Sequence, residues 1–380
     1  MAALRRLLVS VLAISLGVAC AHKRPVLTSR AVDPDDVAAA RALFARLDAL
    51  RDSLRIPGLA AVLLRDTTVV LARGFGFANV ERAIPVTPET PFNIASVSKP
   101  ISAVVALRLV QDGRLDLDRP MRSYRDFPEF CTAARAGSGL FFADYACNDD
   151  QLNLRHVLSM TANGAPGTRF WYNPPSYSWA SRPMAEVTGR AFSDLVDSLV
   201  LRPAQMQHAA RQHRRLPLPP EIAASMAIPY RVDSAGRLQQ SPPPPPQGDG
   251  AAGGVIASAM DLARFDIALA RGTLLTPTSR AALWTPTRTA DGRSLPYGLG
   301  WFLGQHERRR LAWHTGLWEG QYSALYLKVL GNTPADRLTL VLLANSDALQ
   351  WPTRLDEATI ERSAFATAFL AAFPARGRAP

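Results

Sequence analysis

The stretch FNIASVSKPIS, from Phe92 to Ser102, holds the most informative pair of residues in the chain. The sequence contains 43 lysines and arginines, yet lysine occurs only at Lys23, Lys99 and Lys328. Residues three apart on a helix share a face, so Lys99 can place its amine beside the Ser96 hydroxyl. A guanidinium keeps its proton in a protein, whereas a desolvated lysine can become a neutral base. The pattern therefore predicts a serine nucleophile with lysine as its base.

The segment around this pair predicts a buried helix. Ser96 opens it, the run ISAVVALRLVQDG continues it, and Gly113 closes it. Because the run is apolar on nearly all sides, the helix should lie between two layers of the protein. A serine at the start of such a helix meets the positive end of the helix dipole and free N–H groups, which favour the oxyanion that forms during acyl transfer.

The elements on either side of this helix predict an α+β fold. Strand patterns occur near both ends of the chain, and the middle shows helices broken by proline. We expect an antiparallel sheet flanked by helices, with a mostly helical inserted subdomain. The predicted division is an α/β subdomain of residues 35–115 plus 251–375 and a helical subdomain of residues 116–250. The predicted strands are Leu59–Arg65, Val69–Asn79, Tyr297–Leu303, Leu311–Gly316, Tyr322–Leu330 and Leu338–Ser346, and the predicted helices include Asp35–Leu54, Arg155–Met160, Trp179–Thr188, Phe192–Leu201 and Asp356–Phe373.

The first residues resemble an export signal rather than part of the fold. Arg5 and Arg6 precede an apolar run from Leu7 to Val18, which is too short to span a bilayer but suits a signal-peptide core. We predict a signal peptide over residues 1–21 and a linker over 22–34. Ala19-Cys20-Ala21 fits an ordinary cleavage site, and the residues up to Cys20 also fit a lipoprotein signal. Both alternatives predict an exported protein of the periplasm or cell envelope, and the second adds a membrane tether at lipidated Cys20.

The two remaining cysteines suit an oxidising compartment. Cys131 and Cys147 are sixteen residues apart in a loop-rich stretch, and a disulfide there would stabilise the fold by roughly 3 kcal/mol. The alternative is a pair of buried thiols.

The net charge of +11 raises the question of a nucleic-acid partner. The densest basic runs are HAARQHRR at 208–215 and HERRR at 306–310, and no nucleic-acid-binding signature accompanies them. Such runs are usually solvated faces, and export removes most nucleic acid from reach. We expect no nucleic-acid partner, and an anionic envelope surface fits the charge better.

Two further motifs follow Ser96-x-x-Lys99 along the chain. They are PGTRFWYNP at Pro166–Pro174 and WHTG at Trp313–Gly316. In this order and at these separations, the three motifs resemble those of the serine beta-lactamase-related family, which comprises class C beta-lactamases, serine DD-peptidases, D-aminopeptidases and related esterases. The resemblance extends over about Arg41 to Ser346. The supporting phrases are GRLDLDRP at 113–120, LNLRHVLSM at 152–160, AEVTG at 185–189, AAGGVIASAMDLARF at 251–265 and YGLGW at 297–301.

The resemblance implies a role for each matching residue and a beta-lactamase/transpeptidase-like fold. Ser96 would be the nucleophile, Lys99 its base, and Tyr172 a second acid/base group. His314, Thr315 and Gly316 would line the cleft on an edge strand, and the backbone N–H groups of Ser96 and Leu317 would form the oxyanion hole.

The chain departs from the family pattern after Tyr172. The second motif normally reads Tyr-x-Asn or Tyr-x-Ser, but Pro174 stands in the third place here. Proline offers no side-chain hydrogen bond, so either Asn173 or Ser176 replaces the missing group or activity is weakened. The stretch between Met160 and Pro166 is also short, which affects the shape of the cleft.

These observations favour an exported serine hydrolase that uses no metal and no cofactor and acts on a small molecule or short peptide. The chain has no Gly-x-Ser-x-Gly elbow, His-Glu-x-x-His or phosphate loop, and no cysteine–histidine cluster with metal-ligand spacing. Because His314 replaces the lysine typical of lactamases, we expect esterase or peptidase activity rather than beta-lactamase activity. The alternative is a catalytically silent binding or scaffolding module of the envelope.

Overall fold

The computed structural model describes residues 32–137, 139–350 and 358–375. The predicted signal peptide, Cys20 and most of the predicted linker lie outside these residues. Within the described part, none of the helices is both long enough and apolar enough to cross a bilayer.

The described residues form twelve strands and eleven α-helices, together with short 3₁₀ turns and a five-residue π-helix, Asp197–Leu201. The strands are β1 Gly58–Arg65, β2 Thr68–Asn79, β3 Ile84–Pro85, β4 Phe92–Asn93, β5 Ala210–Arg211, β6 Tyr230–Val232, β7 Leu238–Gln240, β8 Val255–Ala257, β9 Phe302–His306, β10 Arg309–Trp318, β11 Tyr322–Val329 and β12 Leu338–Ala344. The helices are α1 Pro34–Ser53, α2 Ser98–Gln111, α3 Phe127–Ala136, α4 Leu154–Leu158, α5 Pro174–Trp179, α6 Ser181–Thr188, α7 Phe192–Val196, α8 Pro220–Ser225, α9 Ala259–Ala270, α10 Pro277–Leu283 and α11 Ala364–Ala372.

A seven-stranded antiparallel sheet joins both ends of the chain. Its order is β3-β2-β1-β12-β11-β10-β9, so the first hairpin pairs with the last strand, and Val62 lies opposite Val341. Every residue of β12 is buried, as are all but the last of β1. Such continuous apolar strands need cover on both faces, and α1 and α9 both pack on β1. The predicted antiparallel sheet flanked by helices is confirmed, and the division into two subdomains stays a prediction.

Local signals explain where the helices begin. Asp33 caps α1, and its carboxylate accepts a hydrogen bond from the Asp35 N–H. Ser258 and Asp261 form a capping box that starts α9 directly after β8. Both helices cover the sheet, so these caps fix the layers around it.

One predicted strand and the predicted C-terminal helix both begin later in the chain than the sequence patterns indicate. Tyr297–Trp301 does not continue the strand β9, because Gly300 turns with φ +75° and passes close to the Lys99 carbonyl and the Tyr177 hydroxyl. The C-terminal helix begins at Ala364 rather than Asp356, because Ser363 caps it after a 3₁₀ turn; Asp356 itself lies outside the described residues.

Candidate active site

Ser96 lies in a 3₁₀ turn, Ala95–Val97, between β4 and α2, so α2 begins at Ser98 rather than at Ser96 as predicted. Ala95, directly before it, has φ +47°, a left-handed conformation that is unfavourable for a residue with a side chain. The Asn93 side chain stabilises this turn, because its oxygen accepts the Ala95 N–H at 2.9 Å and the Trp318 Nε1–H at 3.1 Å. From residue 91 to residue 100 only Ser96 is partly accessible. The turn therefore presents one hydroxyl at the start of a buried helix.

Lys99 places its amine against this hydroxyl. Its Nζ lies 2.8 Å from Ser96 Oγ and donates to the Ala252 carbonyl at 3.0 Å. The side chain is completely buried, and burial lowers the pKa of Lys99 to about 7. A large share of these amines is therefore neutral at physiological pH, and a neutral amine can accept the serine proton.

A buried arginine holds the loop that carries the Ala252 carbonyl, through the carbonyls on either side of it. Arg211 donates to the carbonyls of Gly250 and Gly253 and forms an ion pair with Asp249 at 3.3 Å. Its side chain is only 2% exposed, although the basic run that contains it was expected to be a solvated face. That expectation was wrong for Arg211, which fastens the loop whose carbonyl positions Lys99.

Tyr172 lies beside the lysine on the other side. The Lys99 Nζ is 5.3 Å from the centre of the Tyr172 ring. That ring stacks on Phe302 at 5.7 Å and lies 6.1 Å from the His314 ring. Tyr172 is 8% exposed, so the structure brings a second titratable group into the same pocket of aromatic side chains.

His314 is completely buried on β10. Its Nδ1 lies 2.6 Å from the Thr315 carbonyl, which can only accept, so Nδ1 carries the proton. Its Nε2 then accepts a hydrogen bond from the Tyr297 hydroxyl at 2.8 Å. Burial, and next the positive charge of Lys99, hold the pKa of His314 well below 6.5. The imidazole is therefore neutral at physiological pH, and sequence reasoning missed its partner, Tyr297.

Gly316 allows β10 to approach the serine turn. A Cβ at this position would lie 2.3 Å from the Ile94 carbonyl oxygen, so only glycine fits. β9 begins at Phe302, opposite Trp313, and among the described residues β10 pairs only with β11 from His314 onward. This part of β10 is therefore a local edge of the sheet, because the outermost strand, β9, does not extend that far. The residues on the edge are His314, Thr315 and Gly316. Leu317 comes next along this edge.

Asn173 and Ser176 stabilise the local structure. The Asn173 oxygen caps α5 by accepting the Ser176 N–H at 2.9 Å, and its amide donates to Phe141 and Asn163. The Ser176 hydroxyl donates to Tyr145 at 2.8 Å. Both N–H groups of Asn173 thus have protein acceptors, and the geometry does not support a substrate-binding role for it. Pro174 takes the first position of α5, where proline is favoured.

A disulfide supports the wall next to this segment. Cys131 and Cys147 are bonded, with their Cα atoms 5.8 Å apart. The bond ties α3 to the loop that carries Tyr145, whose hydroxyl contacts Ser176. The predicted pair is thus a disulfide in the structure rather than two thiols.

One group of side chains outside this site has atoms that suit a metal. Single donor atoms of Glu89, His208 and Asp261 lie within 4.8 Å of one another. Arg264, however, already pairs with Glu89 at 2.8 Å and with Asp261 at 2.9 Å. Both carboxylates therefore have a cationic partner from the protein itself.

Comparison with known proteins gives consistent matches. A family model described as Beta-lactamase matches residues 41–364. Penicillin-binding protein 4* of Bacillus subtilis (strain 168) is 26% identical over 304 residues, which cover 73% of this chain and 66% of that protein. The D-aminopeptidase of Gluconobacter oxydans (strain 621H) is 26% identical over 320 residues, which cover 80% of this chain and 58% of that protein. The chain thus spans less than two thirds of the length of these relatives.

Solved structures show the same fold. The D-amino acid amidase from Ochrobactrum anthropi SV3, determined with D-phenylalanine, superimposes with a TM-score of 0.66. The match covers 88% of this chain and 98% of that one at 19% identity. At this identity the likeness concerns the fold alone, and the activity has to be argued from the site.

Proposed function

This chain belongs to the beta-lactamase family, and from its site we propose that it is a serine hydrolase that cleaves an amide or ester carbonyl through an acyl-enzyme on Ser96. One observation carries the proposal. Ser96 Oγ lies 2.8 Å from an amine that burial has brought to a pKa of about 7. A hydroxyl needs such a base to become a nucleophile.

The first half of the reaction forms the acyl-enzyme. Lys99 Nζ takes the hydroxyl proton as Ser96 Oγ attacks the carbonyl carbon, and the carbonyl π electrons move to its oxygen. The N–H groups of Ser96 and Leu317 stabilise that oxyanion. The intermediate collapses, the bond to the leaving group breaks, and Tyr172 passes a proton to the departing nitrogen or oxygen. The lysine proton then restores Tyr172.

The second half releases the acid. Water attacks the acyl carbon and gives a proton to Lys99, which the first half leaves neutral, while Tyr172 stays protonated. The bond to Ser96 Oγ breaks, and the serine regains its proton. Water is the one reactant besides the substrate, and it supplies the attacking electron pair and the proton that returns to Ser96.

The charge around His314 bears on the substrate. Lactamases of class C carry a lysine where this chain has His314, and that lysine favours a carboxylated ligand. His314 is buried, accepts from Tyr297 and keeps a lowered pKa, so it offers no positive charge near neutral pH. This supports a small ester or a short D-amino-acid peptide as substrate over a beta-lactam.

The proposed place of action is outside the cytoplasm. The Cys131–Cys147 disulfide supports an oxidising compartment, and the predicted signal at residues 1–21 supports export. Cys20 would add a lipid anchor if the lipoprotein alternative holds.

The proposal is tested by mass spectrometry on the protein treated separately with a fluorophosphonate and a penicillin. We expect a covalent adduct on the peptide that contains Ser96, and none in Ser96→Ala. The probe that reacts identifies the accepted acyl donor. If a folded protein reacts with neither probe, the silent binding module is the better interpretation. Pro174 favours that alternative: it suits the first turn of α5 but offers no side-chain hydrogen bond, and Asn173 and Ser176 are bonded within the local structure instead.

A further inference from the structure

A second cavity, of about 300 Å³, lies away from Ser96. α9, α10 and the far ends of β11 and β12 contribute to its lining, and neither Ser96 nor Lys99 belongs to it. β11 connects the two places: Ala324 pairs with Gly316 at the proposed active site, and Lys328, four residues further on, lines the cavity. That spacing is roughly 13 Å along a strand. The cavity is therefore a separate feature of the fold.

One part of the cavity lining is polar, and the charges of its lysine and its aspartate cancel each other. Lys328 forms an ion pair with Asp266 and donates to the Thr339 hydroxyl at 3.1 Å. Asp266 also accepts from Tyr326 at 2.6 Å and from Thr339 at 2.8 Å. These groups hold one another in place, so this part of the lining contributes polarity and rigidity rather than net charge.

The net positive charge of the cavity lining comes from two arginines, Arg280 and Arg310. Arg280 donates to the carbonyls of Leu269 and Ala270, and Arg310 donates to the Trp284 carbonyl at 3.0 Å. Carbonyl oxygens orient a guanidinium but do not neutralise it. Among the described residues, neither arginine has a carboxylate partner within 4.0 Å. The third arginine of the lining, Arg337, pairs with Asp66 at 3.0 Å.

The walls of the cavity are apolar, with one unused donor. Leu269, Pro277 and Trp284 lie along them. The Trp284 Nε1–H is buried and has no acceptor among the described residues. An unpaired buried donor costs about 1–3 kcal/mol. A ligand with an apolar body would pack against these walls, whereas the Trp284 N–H is enclosed and out of its reach.

We infer that this cavity binds a small organic anion, with a carboxylate or phosphate headgroup between Arg280 and Arg310 and a short apolar chain against Leu269 and Trp284. Guanidinium groups bind either headgroup through paired hydrogen bonds. The volume lies at the lower end of small-molecule sites, which span about 300–1,000 Å³. This inference does not depend on the proposed catalytic function.

The test is isothermal titration calorimetry with hexanoate, hexyl phosphate and the neutral hexanamide. We expect at least one anion to bind, and hexanamide to bind at least tenfold more weakly. Arg310→Gln should weaken binding of that anion at least tenfold. Arg308→Gln is the matched control. It removes the same charge two residues before Arg310, from a side chain that does not line the cavity, and it should keep the affinity.

A second variant separates this cavity from the Ser96 site. Ala281 is exposed on α10 and lines the cavity, so Ala281→Trp should fill it and remove binding, while Ser96→Ala should bind as the original protein does. Unchanged melting temperatures without ligand establish that the variants fold. Equal affinity in Arg308→Gln and Arg310→Gln, equal binding of hexanamide, or no binding of either anion would each overturn the inference. A preference between the two anions identifies the headgroup.

Discussion

Lys99 and Lys328 are both buried lysines in a chain that otherwise relies on arginine, yet their surroundings differ. Lys99 contacts a hydroxyl and a carbonyl, Ser96 and Ala252. Lys328 contacts a carboxylate, Asp266. Burial without an opposite charge lowers the pKa of Lys99, whereas Lys328 has a carboxylate as its direct partner. Lys99, on α2, is thus placed as a candidate base beside Ser96. Lys328, on β11, forms a structural ion pair.

The largest expected effect comes from exchanging each lysine for arginine. Lys99→Arg should slow fluorophosphonate labelling of Ser96 by about 10³-fold or more, because a general base contributes roughly 10²–10⁴-fold and a guanidinium cannot act as one. Lys328→Arg should label within about threefold of the original protein, since distant sites act nearly independently. The measurement is the second-order labelling rate at pH 8. A loss below tenfold in Lys99→Arg would place the base elsewhere.

Replacing each lysine by methionine should change stability in opposite directions. Lys328→Met leaves the Asp266 carboxylate buried and unpaired, which costs about 3–5 kcal/mol. Lys99→Met removes an amine that burial penalises when it is charged, so the free energy of unfolding at pH 7 should rise by a few kcal/mol. Each pKa unit corresponds to about 1.36 kcal/mol.

The pH dependence checks the origin of this gain. The pKa of Lys99 is lowered from 10.5 to about 7 on folding, so between these values the unfolded chain binds more protons and the stability of the original protein rises with pH. The advantage of Lys99→Met should therefore be full at and below pH 7 and vanish towards pH 10.5. Urea unfolding from pH 6 to 10 measures it. A constant advantage would point to packing rather than charge.

The features of this comparison differ in how far the sequence predicts them. Spacing on a helix brings Ser96 and Lys99 together, and strand patterns at both ends of the chain predict the sheet. These are local or periodic signals. The ion pair of Lys328 with Asp266 joins residues 62 positions apart, and no periodicity reports such a contact.

Arg211 and Tyr297 were misread for the same reason. A basic run predicts side chains exposed to solvent. In the folded protein, however, Arg211 is buried against a glycine-rich loop and donates to its carbonyls. Tyr297 looks like a strand residue, but Gly300 turns the chain so that the Tyr297 hydroxyl meets His314. Tertiary contacts between distant segments decide both positions, and they lie beyond what residue patterns encode.

The smallest expected effect is the pH dependence of acylation, and it tests directly whether Lys99 works as a neutral base. With a pKa of about 7, the neutral fraction rises from about a tenth at pH 6 to about nine tenths at pH 8. The labelling rate of Ser96 should therefore rise about tenfold over this range and level off above it. Lys328→Arg should give the same midpoint, because its ion pair takes no part in the proton transfer.

His314 is the histidine of this pocket, and the structure separates its titration from that of Lys99. Its pKa lies well below 6.5 because the ring is buried and lies near the charge of Lys99, so its titration does not fall at the midpoint near pH 7. A folded His314→Gln variant should keep the midpoint near pH 7, whatever its absolute rate. A midpoint that disappears in His314→Gln, or a rate that falls as pH increases, would remove Lys99 from the role of base and with it the contrast between the two lysines.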